Sequence, residues 1–286
     1  MVYSKQQKTA DIVKIAVFSI FGIIFIVPYL LVLIVSFSSQ ASIITHGYSL
    51  IPSALTFSAY KQLFTEKDIY IGLGNSILIT VAGTVIAVAV TTCAAYALSK
   101  HYLKGRKIVN FLLIFAMLFS GGLIPGYLLI QKLHLLNTYF AIIIPGAMSP
   151  WFCLLIRSYF RSLPESLEEA AYIDGADDYR IFWTIYLPLS VPMLASIILF
   201  SAVALWNQWS VSVLYTSDNA WMQPLTVILR NRISLNIVPG TTGGTQSVDD
   251  NVKMATAILV TIPMIIAYPF LQKFFVTGMT LGSVKG

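Results

Sequence analysis

Long apolar runs separated by short polar segments dominate this chain. A helix needs roughly 20 mostly apolar residues to cross a bilayer, and six runs fit that description. Their approximate bounds are 12–37, 69–99, 108–130, 139–156, 190–214 and 254–271. Because short segments link most of these runs, the pattern predicts an all-α membrane protein in which six transmembrane helices form a single domain, 1–286.

Composition supports this prediction and excludes several other classes of protein. The 286 residues are 57% hydrophobic and 10% charged, with a mean hydropathy of +0.79, far from the composition of soluble domains. The first run is much longer than the roughly 7 to 15 apolar residues of a signal peptide, so we expect it to remain in the mature protein. Cys93 and Cys153 lie within apolar runs, which gives no indication of a disulfide. His46, His101 and His134 lie in separate loops without metal-ligand or triad spacing, so we expect no catalytic, cofactor-binding or metal site.

The net charge of +6 is distributed unevenly along the chain. Twelve basic residues fall on one predicted side of the membrane: Lys5, Lys8, Lys14, Lys100, Lys104, Arg106, Lys107, Arg157, Arg161, Arg180, Lys273 and Lys285. Six fall on the other side: Lys61, Lys67, Lys132, Arg230, Arg232 and Lys253. Since basic residues concentrate in cytoplasmic segments, this pattern predicts that both termini and residues 161–189 face the cytoplasm. The same pattern argues against nucleic acid as a partner.

One polar segment differs from the other loops in its chemistry. Six of the 12 acidic residues occur within 14 positions: Glu165, Glu168, Glu169, Asp174, Asp177 and Asp178. Pro164 suits the first turn of a helix, and acidic residues near a helix N-terminus stabilise that helix. We expect Gly175 to end the helix, and we expect a second short helix, about 178–186, to end at Pro188.

The first of these helices is predicted to present a narrow face. The residues that share this face by helical spacing are Leu167, Ala170, Ala171 and Asp174. Small side chains allow another protein to approach the helix backbone, and isolated helices shorter than ~12 to 15 residues are marginal in water. We therefore expect the segment to dock on a soluble partner. The alternative is a solvated connector whose acidic residues only maintain solubility.

The residues from Glu169 to Pro188 resemble the EAA loop of ABC importer permeases, which reads E-A-A, then D-G-A, then a hydrophobic run ending in L-P. Further features are similar to the MalG-type subunit of carbohydrate importers, the CUT1 family: Pro52 with Tyr60 and Phe64, Trp206-Asn207, and the tail from Gly282 to Gly286. Two segments resemble the LplC/YtcP-like branch of that family: Gly121 to Pro125 and Leu136 to Thr138. The resemblance covers nearly the whole chain.

This resemblance implies a type I ABC importer permease of the MetI/MalG-like fold in a bacterial cell membrane. In the family the EAA loop, here 161–189, carries a coupling helix that sits in a cleft of a cytoplasmic ATPase subunit. The positions implied to make that contact are Glu168, Glu169, Ala170, Ala171, Asp174, Gly175, Ala176 and Pro188. Glu169 is implied to pair with a basic residue of the ATPase. The tail residues implied to reach the ATPase dimer are Ser283, Val284 and Lys285.

The resemblance also implies a set of partners. These are a second, MalF-like permease, two MalK/MsmX-like ATPase subunits that bind ATP and Mg, and an extracytoplasmic solute-binding protein. The branch is associated with complex plant-type oligosaccharides. The implied substrate is therefore an oligosaccharide of pectic or rhamnogalacturonan type, translocated by alternating access.

Polar residues inside the apolar runs are candidates for the translocation pathway, because polar groups in a membrane tend to face the interior of the helix bundle. These residues are Asn75, Trp206, Asn207 and Gln208. Amides can bind sugar hydroxyls, and aromatic rings can stack on sugar faces. Tryptophan also concentrates at bilayer surfaces as an anchor, which is the alternative role for Trp206.

The source of energy separates two classes of transporter. The chain has no Gly-Lys-Ser or Gly-Lys-Thr, so the loop that would cradle ATP phosphates is missing and ATP hydrolysis is expected in partner subunits. The alternative is a secondary sugar transporter driven by an ion gradient. That class needs ionisable residues inside the membrane, and residues 15–37, 69–99 and 108–130 contain no Asp, Glu, Lys, Arg or His.

Overall fold

A computed structural model describes the backbone of residues 5–217, 219–235 and 248–282. Side chains are described for residues 11–217, 219–234 and 248–269. Within these ranges all regular secondary structure is helical, apart from one isolated antiparallel bridge between Ser38 and Leu55. The prediction of an all-α protein is confirmed.

The helices vary widely in length. The α-helices of the described residues are α1 Lys5–Ser36, α2 Gln40–His46, α3 Ser58–Leu63, α4 Lys67–Ser99, α5 Arg106–Leu118, α6 Leu123–Lys132, α7 Tyr139–Ile143, α8 Pro150–Phe160, α9 Glu165–Ile173, α10 Asp178–Ile181, α11 Leu187–Leu189, α12 Val191–Trp206, α13 Ser210–Tyr215, α14 Leu225–Arg230 and α15 Asp250–Gly282. Tighter 3-10 turns cover Ile144–Gly146 and Ala220–Met222, and wider π turns cover Phe182–Tyr186 and Asn231–Leu235.

Three helices in the described chain are long and apolar enough to cross a membrane unaided: Asp11–Ser36, Lys67–Ser99 and Asp250–Pro269. Three further candidate spans are bent pairs of helices: Arg106–Leu118 with Leu123–Lys132, Tyr139–Gly146 with Pro150–Phe160, and Asp178–Leu189 with Val191–Trp206. If each bent pair counts as one span, the total is six. These six correspond in order to the six predicted apolar runs.

Three of the predicted runs are less continuous than the apolar pattern suggested, and the fourth of the six, 139–156, bends by 44° between Gly146 and Pro150. The third bends by 118° between α5 and α6. Gly122 there takes a φ of 88°, and its N–H donates to Ser120 Oγ at 3.2 Å, so the helix stops and restarts in a new direction. The fifth, predicted as 190–214, is interrupted between α12 and α13 at 207–209.

The prolines within long helices have a smaller effect. Pro28 lies inside α1, and both Pro263 and Pro269 lie inside α15, without ending either helix. A proline removes one helical hydrogen bond, and the bonds on either side can hold a long apolar helix together. Proline alone is therefore not what breaks these spans.

The described residues form two compact units. One lies within 1–69 and 229–262, and the other within 70–228 and 263–286. In the first unit, Tyr60 of α3 packs on the end of α1, with 4.8 Å between the ring centres of Phe37 and Tyr60 and 2.8 Å between Ser36 Oγ and Tyr60 OH. Our interpretation of 1–286 as a single domain stays a prediction.

A buried arginine holds another part of the first unit together. The Arg232 side chain is 1% exposed and pairs with the carboxylates of Glu66 and Asp68, the latter at 3.3 Å. Its Nη1 also donates to Thr256 Oγ1 at 3.4 Å. These contacts join the start of α4, the π turn at Asn231–Leu235 and α15.

The larger core of the second unit includes residues of the acidic segment. Its buried residues are Ala95, Leu98, Leu113, Cys153, Ile156, Phe160, Ile181, Phe182, Tyr186 and Ile197. They come from α4, α5, α8, α10, the π turn at Phe182–Tyr186 and α12. The acidic segment packs against the rest of this core through its buried side chains. This packing determines which side chains of the segment are exposed.

Candidate functional site in the acidic loop

The acidic loop, residues 161–189, begins with a short helix that has defined ends. Pro164 precedes α9, and Glu165 and Glu168 lie in its first turn, where their charge favours the helix dipole. At the other end, Gly175 takes a φ of 78°, and the N–H groups of Gly175 and Ala176 donate to the carbonyls of Tyr172 and Ala171 at 3.0 and 2.9 Å. This pair of bonds is the Schellman arrangement, so the expected stop at Gly175 is confirmed.

The second helical part runs further than predicted. Asp177 caps α10 by accepting a hydrogen bond from the Arg180 N–H at 2.8 Å. The helix then widens into a π turn, in which the Leu187 N–H bonds to the carbonyl of Phe182, five residues back. Proline crowds the carbonyl four residues before it, and we attribute the wider turn to that crowding. The expectation that the helix ends at Pro188 is wrong, because it continues to Leu189.

One acidic side chain points inward and meets a buried lysine. Lys100 Nζ lies 2.7 Å from Glu168 Oε1, and the Lys100 side chain is only 6% exposed. The same Nζ lies 4.3 Å from the ring centre of Tyr96 and 4.4 Å from that of Tyr186. Tyr186 OH donates to Glu168 Oε2 at 2.5 Å. We call Lys100, Glu168, Tyr96 and Tyr186 the lysine cage.

The charge state of Glu168 follows from these contacts. Burial would raise the pKa of Glu168, but hydrogen bonds from Lys100 and Tyr186 outweigh burial and lower this pKa below its ordinary value. Glu168 is therefore a carboxylate at neutral pH. Its charge is compensated within the chain rather than offered to a partner.

A second carboxylate ties the two helices of the acidic loop together. Tyr172 OH donates to Asp178 Oδ1 at 2.6 Å, and Tyr102 OH lies 2.7 Å from both Asp178 carboxylate oxygens. Tyr96 OH donates to the main-chain oxygen of Asp178 at 3.0 Å. Burial, followed by the hydrogen bond to Asp178, raises the pKa of Tyr172, so its hydroxyl remains a donor at neutral pH.

The outward face of α9 carries a different set of side chains. Glu169, Ala170, Asp174 and Gly175 are exposed. Ile173 is 86% exposed and lies next to Asp174 and one helical turn after Glu169. An exposed isoleucine flanked by carboxylates suits a contact with another protein better than a contact with lipid.

The predicted coupling residues therefore divide into two groups. Those on the exposed face are Glu169, Ala170, Asp174 and Gly175, with Pro188 exposed at the end of the loop. The second group contacts other segments of the same chain and consists of Glu168, Ala171 and Ala176. The two alanines pack against the core. Fewer residues of the predicted narrow face are exposed than the helical spacing indicated, because Ala171 packs against the core.

Sequence reasoning missed the tyrosines and the lysine that hold the loop. The set lies on three segments of the chain, so no single local spacing links all five residues, which are Tyr96, Lys100, Tyr102, Tyr172 and Tyr186. A cavity of about 530 Å³ opens beside them. Its ionisable lining residues, tyrosines aside, are Lys100, His101, Arg161, Glu165, Glu168 and Glu169.

The candidate pathway residue Asn75 is buried, and its contacts are within the chain. Its Nδ2 donates to the main-chain oxygens of Trp221 and Gln223 at 2.7 and 3.1 Å. Its Oδ1 accepts a hydrogen bond from Tyr139 OH at 2.7 Å. Both amide hydrogens are thus committed to the segment around Trp221, which favours an anchoring role over contact with substrate.

The other pathway candidates surround the break after α12. Trp206 is buried, with 4% of its surface exposed, whereas Asn207 is exposed and Gln208 is partly exposed. The Asn207 N–H and Nδ2 both bond to the carbonyl of Val203, at 3.1 and 3.0 Å. Asn207 therefore caps the helix and leaves its amide oxygen at the surface. The tail candidates Ser283, Val284 and Lys285 lie outside the described residues.

Comparison with known proteins gives consistent relatives. Residues 98–281 match the family model described as binding-protein-dependent transport system inner membrane component. The chain is 39% identical to Protein LplC of Bacillus subtilis (strain 168), over 99% of this chain and 97% of that protein. It is 38% identical to the polygalacturonan/rhamnogalacturonan transport system permease protein YtcP of the same organism, over 93% of this chain and 94% of that protein. A solved bacterial ABC transporter involved in the import of the acidic polysaccharide alginate has a chain that matches with a TM-score of 0.87 and 34% identity, covering 96% of this chain and 99% of that one.

Proposed function

Because the chain belongs to the family of binding-protein-dependent transport system inner membrane components, we propose that it is the permease subunit through which an ABC importer moves an oligosaccharide. It is a multi-pass membrane protein with the fold of a type I ABC importer permease. Residues 161–189 are the part of this fold that meets the ATPase in our proposal.

The exposed face of α9 is the observation that carries the docking role. Glu169 and Asp174 offer uncompensated negative charge around Ile173, while the charge of Glu168 is neutralised internally. The complementary surface is an apolar cleft with at least one basic side chain. We assign this cleft to a cytoplasmic ATPase subunit, which places the acidic loop and both termini in the cytoplasm, as the distribution of basic residues predicts.

Membership of a binding-protein-dependent transport family supports the remaining parts of the importer. The sequence contains no Gly-Lys-Ser or Gly-Lys-Thr, and we propose that ATP and Mg bind to two separate ATPase subunits. A second permease completes the translocation path, and a solute-binding protein delivers the sugar outside. ATP-driven closure of the ATPases moves the docked loop and switches the bundle between outward-facing and inward-facing states. We also propose that the tail residues Ser283, Val284 and Lys285 contact the ATPase dimer.

The proposed substrate is an oligosaccharide that contains uronic acids, of pectic or rhamnogalacturonan type. Support comes from two relatives, one named for polygalacturonan and rhamnogalacturonan transport and one involved in importing the acidic polysaccharide alginate. Asn207 and Gln208, at the break after α12, are the proposed contacts in the pathway. Asn75 and Trp206 support the segments around that pathway.

A charge-reversal experiment tests the docking role. Glu169→Lys should greatly reduce co-purification with the ATPase subunit and abolish ATP-driven uptake into proteoliposomes, because it places a cation where the partner presents one. Asp249→Lys is the matched control, since Asp249 is also exposed but lies in the predicted outer loop. The control should assemble and transport normally.

Two results would contradict the proposal. One is normal co-purification and uptake by the Glu169→Lys complex. The other is uptake that persists in the absence of any ATPase, which would favour an ion-driven transporter instead. Uptake of oligogalacturonides compared with neutral maltooligosaccharides then tests the substrate class.

A further inference from the structure

The lysine cage surrounds the ammonium group of Lys100, which is almost completely buried. Lys100 directly follows the C-terminal end of α4, and its side chain is 6% exposed. Removing an ammonium group from water is unfavourable unless close partners compensate its charge. Here the compensation comes from Glu168 at 2.7 Å and from the rings of Tyr96 and Tyr186 at 4.3 and 4.4 Å.

Three separate helical segments meet at this one cation. Tyr96 lies in the last turn of α4 and Lys100 directly follows that helix, Glu168 lies in α9, and Tyr186 lies in the π turn that continues towards α12. Tyr186 also bonds to Glu168, so each segment touches both of the others. If α9 moved without the end of α4, Lys100 and Glu168 would separate. Each charge would then remain in a largely buried position without its partner.

Asp178 supplies a second attachment between the same regions. Tyr172 of α9, Tyr102 of the loop after α4 and Tyr96 of α4 all donate hydrogen bonds to Asp178. A single contact would allow α9 to pivot about it. With two attachments, the end of α4 must follow both translation and rotation of α9.

We propose that Lys100, with Glu168 and Tyr186, transmits the movement of the docked acidic loop to α4 and α12. This inference rests on the proposed docking of the loop on an ATPase. Lys100 is then a positioning residue. It does not contact the ATPase or the sugar, and it determines how much of each ATP-driven movement reaches the membrane helices.

The test separates transmission from docking. Lys100→Met keeps an unbranched apolar side chain at this position and removes the charge. The double variant Lys100→Met with Glu168→Gln removes both charges, so no unpaired carboxylate is left. Lys104→Met is the matched control, because Lys104 is an exposed lysine in the same loop. Each complex is reconstituted with its ATPases and binding protein, and three quantities are measured: co-purification, ATP hydrolysis and sugar uptake.

The expected result is retained co-purification with a fall in the ratio of uptake to ATP hydrolysed. For both cage variants we expect this ratio to fall by about tenfold, a typical size for coupling between two sites. Lys104→Met should leave the ratio unchanged. Lys100→Arg, which restores the charge, should recover part of the uptake.

Two outcomes would overturn the inference. One is an unchanged ratio of uptake to hydrolysis in well-assembled cage variants. The other is loss of folding or assembly in both the single and the double variant, which would make the cage merely structural. Failure of the docking proposal is detected by a different measurement. In that case the Glu169→Lys complex would co-purify with the ATPase normally.

Discussion

Tyr172 donates a hydrogen bond to Asp178 across the turn at Gly175, with 2.6 Å between the two oxygen atoms. The bond joins the two helical parts of the acidic loop. It forms because Gly175, with a φ of 78°, reverses the chain within a few residues. The shape of the proposed docking surface therefore depends on one glycine.

Replacing that glycine should weaken the loop. Gly175→Ala forces an L side chain into the left-handed region, which costs roughly 1–2 kcal/mol. We expect lower thermal stability and reduced co-purification with the ATPase. Gly146→Ala is the control, since Gly146 has open space around it and no positive φ. Equal stability and equal co-purification of the two variants would contradict this explanation of Gly175.

Gly72 permits close packing between α4 and α14. A Cβ added there would lie 2.4 Å from Ile228 Cδ1 and 3.3 Å from the Leu225 main chain. Overpacking of this kind costs typically about 1–3 kcal/mol, so Gly72→Ala should lower the melting temperature of the purified protein. Gly74→Ala is the matched control in the same helix, because nothing lies within 4 Å of its added Cβ. The prediction fails if both variants melt at the same temperature.

The sequence predicted the helical spans well but not the contacts that position the acidic loop. Apolar length is a local property, so six spans could be read directly, whereas the 118° bend after α5 depends on how the chain packs around Gly121-Gly122. The neighbouring residues Glu168 and Glu169 show the same limit. Glu168 is partly buried against Lys100, whereas Glu169 is exposed. No local pattern distinguishes the two, because Lys100 lies in a distant part of the sequence.

Asn75 and Asn207 should respond differently to substitution. Asn75→Ala removes the donor to the main-chain oxygens of Trp221 and Gln223, and a typical intramolecular hydrogen bond contributes about 0.5–1.5 kcal/mol. We therefore expect lower thermal stability and an unchanged KM for uptake. Asn207→Ala should raise KM with little loss of stability, because Asn207 is exposed at the break after α12. Uptake kinetics and thermal melting of both variants check this assignment. A raised KM for Asn75→Ala at unchanged stability would place Asn75 in the pathway instead.

Arg232 is predicted to be a major source of stability in its unit. Arg232→Met leaves the carboxylates of Glu66 and Asp68 without their cation, and removing one partner of a buried ion pair costs about 3–5 kcal/mol. We expect a marked loss of monodisperse protein after mild heating, measured by size-exclusion chromatography. Lys61→Met, at an exposed position in α3, should behave like the wild type. Equal heat resistance of the two variants would show that the buried arginine contributes little.

The most direct test of the docking role is cross-linking from the exposed face of α9. Cys93 and Cys153 are first replaced by alanine, and a single cysteine is then introduced as Ile173→Cys or, for comparison, as Ile51→Cys in the predicted outer loop. The two isoleucines are 86% and 85% exposed, so their accessibility is matched. In the assembled transporter a short thiol-to-amine reagent should join the Ile173→Cys variant to the ATPase subunit, and the Ile51→Cys variant should give no such product. Labelling of the Ile173→Cys variant by a membrane-impermeant reagent from outside the cell, with no product containing the ATPase, would contradict the account.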